Sequence, residues 1–138
     1  MIQKEQVMDM ILNSCPSYKN RYSNYLKENY KLGEERLLYV EIFDFIHHLV
    51  ERYQKKNLEE FDKLFDCIEE LHLYGDDYVK EWATVGFLED LQNKLLQENI
   101  ELNEFEIYLR SESRIWWNNL IDLWNGKTKY LGGPDRDN

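Results

Sequence analysis

Cysteine, proline and glycine are all scarce in this chain of 138 residues, at 2, 2 and 6. So few turn formers argue against a β-sandwich or barrel. Cys15 and Cys67 stand far apart without a C-x-x-C spacing, so neither a disulfide framework nor a thiol-based metal knot is encoded. Reduced thiols in the cytoplasm are the expectation. No run approaches the ~18 apolar residues of a membrane span. The first residues, Met1-Ile2-Gln3-Lys4-Glu5-Gln6, lack the basic and apolar regions of a signal peptide. Positive charge is also in deficit: 17 Lys and Arg face 27 Asp and Glu, a formal net of −10. Aromatic residues, by contrast, make up 14% of the chain, from 4 Trp, 10 Tyr and 6 Phe. One domain of this size buries about 70% of its unfolded surface, which suffices for a core without disulfides or a structural metal.

The charge deficit lies in the middle. Residues 57–112 hold 16 acidic and 4 basic side chains, whereas the segments on either side are each at +1. Such a field repels nucleic acid and anionic lipid and attracts cationic partners. Neither nucleic acid nor membrane is therefore expected as a partner.

Apolar residues recur at helical intervals nearly throughout. A first helix is predicted over about 2–13 and ends at Pro16. A tyrosine-rich one follows over 17–30, with Tyr18, Tyr22 and Tyr25 on a face that covers the core or pairs with a second copy. The most apolar helix spans about 34–54. Its stripe of Leu38, Ile42, Phe45, Ile46 and Leu49 is widened by Leu37, Val40, Phe43 and Val50, which predicts a central position. Asn57 and Glu60 read as a capping box for a helix that ends at Gly75. Asp76 or Asp77 caps the next, about 77–97. A short helix near 103–109 precedes a last one starting at Ser111 or Ser113 and ending at Gly126. The expectation is an all-α single domain over residues 1–131, with five to seven helices. It is arranged as a bundle or as a short HEAT-like stack of helical hairpins, with residues 132–138 as a tail.

Sites of chemistry are few. His47 and His48 point about 100° apart on a helix and cannot share an ion. His72 is expected as a cation at a helix end. The doublets Glu59-Glu60, Glu69-Glu70, Asp76-Asp77 and Glu89-Asp90 fall on polar faces or caps, where carboxyls titrate normally. No nucleophile elbow or phosphate-binding glycine loop is present. No catalytic, cofactor or metal residue is assigned, and no cofactor is expected.

The acidic face itself is the candidate site. Glu59, Asp62, Asp66, Glu69 and Glu70 lie opposite the apolar stripe of their helix, with Lys63 the sole cation there. Asp77 and Glu81 lie across the following turn. Like charges at these spacings repel, a cost that a basic partner offsets. Trp82, Trp116 and Trp117 are the candidate aromatic anchors, since tryptophan is enriched at interface hot spots.

Two stretches add a resemblance. Val85-Gly86-Phe87-Leu88-Glu89-Asp90-Leu91-Gln92-Asn93, then Phe105 and Leu109, then Ser113-Arg114-Ile115-Trp116-Trp117-Asn118-Asn119-Leu120 and Trp124, resemble a poorly characterised family of small all-helical bacterial proteins. The resemblance covers about residues 37–126. Some members of that family look like immunity proteins encoded beside secreted polymorphic toxins. The resemblance implies an immunity role; with the acidic face and the lack of catalytic motifs, the expectation is a non-enzymatic protein that binds a toxin with a basic surface, as a monomer or, through its tyrosine face, a weak homodimer. A helical adaptor with an unrelated partner is the first rival. A hydrolase that gathers its carboxylates around Mg²⁺ or Ca²⁺ is the second.

Overall fold

Three- and four-residue apolar spacing is realised as helix along the chain. The structure, a computed structural model, describes residues 1–126; residues 127–138, with the tail expected at 132–138, lie outside the described residues. Eight α-helical segments follow in order: α1 Lys4–Ser14, α2 Lys19–Asn29, α3 Leu38–Gln54, α4 Phe61–Tyr74, α5 Asp77–Glu81, α6 Glu89–Gln97, α7 Asn103–Glu106 and α8 Ser111–Trp124. A 3₁₀ turn, Pro16–Tyr18, precedes α2. Segment Trp82–Leu88 is π-helical, and helical backbone runs unbroken through it from α5 into α6. Residues 77–97 thus form one rod about 30 Å long. Counted once, the rod brings the helices to seven in an all-α domain, with no strand among the described residues.

This rod is the centre of the bundle. Val79, Trp82, Phe87, Leu88, Leu91 and Leu95 are all fully buried along it. Helix α3 packs on α6 and the π segment, α4 on α5 and the π segment, α8 on α4 and the π segment, and α1 on α4 and α5. The central position predicted for α3 therefore belongs to 77–97. On α3, Ile42, Phe45, Ile46, Leu49 and Val50 are buried, whereas Val40 and Phe43, and Leu37 just before the helix, stay half exposed.

The α3–α4 connection also departs from expectation. Lys56 takes φ +62°, its N–H reaches Tyr53 O at 3.0 Å, and Asn57 N–H reaches Arg52 O at 2.9 Å. Asn57 thus closes the end of α3 in a Schellman arrangement instead of capping α4. Asp76 does cap α5, accepting from Val79 N–H at 2.9 Å. Between α4 and α5, Ile2 is pinned to the corner: its N–H donates to Tyr74 O and its carbonyl accepts from Asp76 N–H, both at 2.8 Å. Gly75 is required there by space. A Cβ would stand 2.5 Å from Val79 Cγ1 and 2.6 Å from Leu71 O.

Candidate functional site

The acidic residues of α4 start from one helical face but meet different fates. Arg110, in the loop before α8, donates from Nε to Asp66 Oδ1 at 2.7 Å and lies 3.7 Å from Asp62 Oδ1. Arg52 pairs with Glu59 at 3.2 Å. Lys63 is therefore not the sole balancing cation. Glu69 is committed to the fold: its carboxylate accepts from Glu112 N–H at 3.0 Å, Ser113 N–H at 2.8 Å and Ser113 Oγ at 2.9 Å. It caps α8 from across the interface, satisfying N–H groups that the helix start leaves free. Glu70, Asp77 and Glu81 differ. All three are exposed, and none forms an ion pair among the described residues.

The tryptophans expected as anchors are core residues. Trp82 and Trp117 are fully buried, and Trp82 Nε1 donates to Leu38 O at 3.1 Å. Trp116 is half buried, with Nε1 donating to Glu112 Oε1 at 3.2 Å. Leu73, Tyr74 and Tyr78 are exposed instead, at 44%, 61% and 37%, at the corner that also carries Glu70, Asp77 and Glu81. Tyr78 meets Tyr39 edge-on at 5.8 Å between ring centroids, and Lys4 Nζ sits 5.8 Å above its ring. The tyrosine face considered for self-association is also closed. Tyr18 and Tyr22 are buried, and their hydroxyls donate to Asp44 and Glu41, each at 2.7 Å.

Three polar clusters went unpredicted. The first joins Cys15, Ser17, His48, Arg52 and Glu60. Glu60 accepts from Ser17 N–H at 2.9 Å, from Cys15 Sγ at 3.2 Å and from Ser17 Oγ. The Ser17 hydroxyl has one proton and gives it to Glu60, so His48 Nε2, at 2.9 Å, is the donor to Ser17 Oγ. A histidine that donates to a serine does not activate it as a nucleophile. Burial pushes the Cys15 thiol up to about 12, so it stays protonated and unreactive. This cluster ties the 3₁₀ turn to α3 and α4.

The second cluster surrounds His72, which is buried and neutral and not a helix-end cation. Burial holds its pKa down at about 4. Ser113 Oγ gives its proton to Glu69. His72 Nδ1–H therefore donates toward Ser113 Oγ at 2.9 Å and Ile68 O at 3.1 Å, leaving Nε2 to accept from Thr84 Oγ1 at 2.9 Å. The third is Glu41, buried on α3. It accepts from Arg36 Nε at 2.7 Å and Nη2 at 3.0 Å, and from Tyr22 and Tyr30 hydroxyls at 2.7 Å each.

Two carboxylate doublets carry a shifted group: burial raises Glu60, but the hydrogen bonds from Ser17 and Cys15 and the Arg52 charge outweigh it and lower its carboxyl, whereas Glu89-Asp90 moves the other way. Burial, with the neighbouring Glu89 charge added, pushes Asp90 up to about 7, and burial raises Glu89 as well. Among the described residues no group of three or more His, Cys, Asp or Glu side chains is placed to hold a metal ion. No helix there is long and apolar enough to cross a membrane.

A family description, domain of unknown function (DUF7674), matches residues 8–125, which spans α1 through α8. The chain belongs to the DUF7674 family. No curated protein and no solved structure matches it. Within this DUF7674 chain, the matched region contains both the α4–α5 corner and the buried polar clusters, so the family's extent coincides with the helical bundle.

Proposed function

We propose that this DUF7674 protein is a non-enzymatic binding protein that neutralises a cognate bacterial toxin by covering a basic surface on it. One observation carries the reading. Three exposed carboxylates without ion pairs among the described residues, Glu70, Asp77 and Glu81, stand beside exposed Leu73, Tyr74 and Tyr78. Apolar and aromatic side chains supply contact area, and the carboxylates supply long-range attraction and register. Toxins that act on nucleic acid need Lys and Arg to hold phosphate, and an acidic surface imitates that phosphate. The toxin assignment comes from the resemblance described above, and the acidic corner supports it by charge.

Co-expression with a toxin encoded beside the gene is the direct test. Neutralisation, together with a complex on gel filtration that Glu70→Lys/Asp77→Lys disrupts, is the expected result. Undiminished toxicity with no complex overturns the toxin reading. A complex with an unrelated basic protein instead identifies an adaptor using the same corner.

A further inference from the structure

The geometry points to a second docking surface, the groove between α3 and α6, which takes a basic amphipathic helix of a partner protein. On the α3 side of the groove Phe43 stands exposed at 54%, with Ile46 also on the wall, and on the α6 side Leu96 is exposed at 60%. Exposed apolar side chains on two neighbouring helices, facing a shared groove, are the receiving form for a helix that inserts side chains at i, i+3 and i+4. Phe43, Ile46, His47, Asp90, Asn93 and Leu96 line the groove, which encloses about 390 Å³.

Charge selects the occupant. Asp90 is half buried in the groove, with Glu89 next to it, and neither forms an ion pair among the described residues. The other charged or titratable groups at the groove are Lys94, held by Glu98 at 2.9 Å, and His47 on α3. A carboxylate desolvated without a cation is stabilised by one that a partner brings. The raised titration of Asp90 fits this, because burial disfavours its charge and no neighbouring cation offsets that. A second copy of the chain is a poor occupant, since it would bring another net charge of −10 and its own Asp90.

The surface is separate from the α4–α5 corner, because Asp77 and Asp90 stand ~20 Å apart along the rod. The proposal does not rest on the toxin reading.

The test uses the full chain and an amphipathic Leu/Lys helix of about 18 residues as probe, with a Leu/Glu helix of the same pattern as control. Binding is followed by amide NMR shifts and by anisotropy of the labelled probe. Expected are shifts at Phe43, Ile46, Asp90 and Leu96, no binding of the Leu/Glu helix, and affinity lowered about tenfold or more by Asp90→Asn. Phe43→Ser, at an exposed position, is expected to weaken binding with the thermal midpoint unchanged. Shifts confined to residues 70–81, equal binding of the two helices, or wild-type affinity in both variants overturns the proposal. A concentration-dependent dimer abolished by Phe43→Ser overturns it in favour of self-association.

Discussion

At the scale of single residues, the buried polar groups set the acid response. His72 titrates at about 4 in the fold against 6.5 as a free side chain, so between these values the unfolded chain binds the extra proton. Its contribution is complete above pH 6.5 and is lost as pH falls toward 4, at most about 3 kcal/mol. His48, also lowered by burial first and by Arg21 and Arg52, acts in the same direction. Asp90 acts in the opposite one. Raised from 3.8 to about 7, it favours the fold as pH drops below 7, to a degree that solvent screening reduces because the carboxyl is half exposed. Urea midpoints at pH 7 and pH 4.5 separate the two. His72→Gln is expected to be less stable than wild type at pH 7 and to lose less on acidification; Asp90→Asn is expected to lose more. Parallel profiles for all three chains would refute both assignments. Glu41 gives a companion prediction at a single pH. Removing its carboxylate in Glu41→Ala leaves the buried Tyr22 hydroxyl without its acceptor and half-exposed Arg36 and Tyr30 without their shared partner, which is expected to cost about 2–3 kcal/mol in urea unfolding at pH 7.

At the scale of elements, the helices and the ends marked by Pro16, Gly75, Asp76 and Ser111 were legible in the sequence, and the partners that helix ends take from other elements were not. Phe61, Leu64, Phe65, Ile68 and Leu71 already carry the buried side of α4 in their spacing, and Val79 to Leu95 carry the rod. That signal is local, repeating within one helix. The capping of α8 is not local: its acceptor, Glu69, lies on α4, more than forty residues from the N–H groups it serves. No window of sequence links the two, so Glu69 read as a free acid on a polar face. The same holds for Arg110 and Arg52, which neutralise acids belonging to another element. Tryptophan exposure was equally hidden, because periodicity places Trp82 and Trp117 on faces without saying which neighbour covers them. Two variants test these ends. Glu69→Ala, which removes a cap and leaves two N–H groups of α8 unserved, is expected to cost about 1–2 kcal/mol. Gly75→Ala is expected to destabilise by about 1–3 kcal/mol, because the methyl meets the Leu71 carbonyl and Val79 at a corner also tied to Ile2. Gly33, at φ +84° with open space around its Cβ position, is the control: alanine there costs only the backbone conformation, about 1 kcal/mol. Equal losses at Gly33 and Gly75 would show that space at the corner is not what selects glycine.

At the scale of the molecule, the surplus of negative charge divides into a part that holds the fold and a part that faces outward. Asp62, Asp66, Glu59 and Glu69 belong to the first, through Arg110, Arg52 and the α8 cap. Glu70, Asp77 and Glu81 belong to the second, and this separation makes the charge testable without unfolding the protein. Reversing all three to lysine moves the net charge from −10 to −4, since each reversal changes it by two. Because none of the three holds an ion pair among the described residues, the thermal midpoint is expected to stay within a few degrees of wild type. Asp66→Lys, which sets a cation against Arg110, is expected to lower it. Association with a basic partner should respond the other way round. Attraction at a distance acts on encounter and is screened over a Debye length that shortens from about 30 Å at 0.01 M salt to about 8 Å at 0.15 M. The rate of association should therefore fall steeply with salt in the wild type, be slow and nearly salt-independent in the triple variant, and change little in Asp66→Lys. Dissociation, governed by the contacts of Leu73, Tyr74 and Tyr78 once formed, should change far less than association in every case. Stopped-flow rates across a salt series measure both. A triple variant that associates as fast as wild type at low salt would mean that the outward-facing carboxylates do not guide the partner.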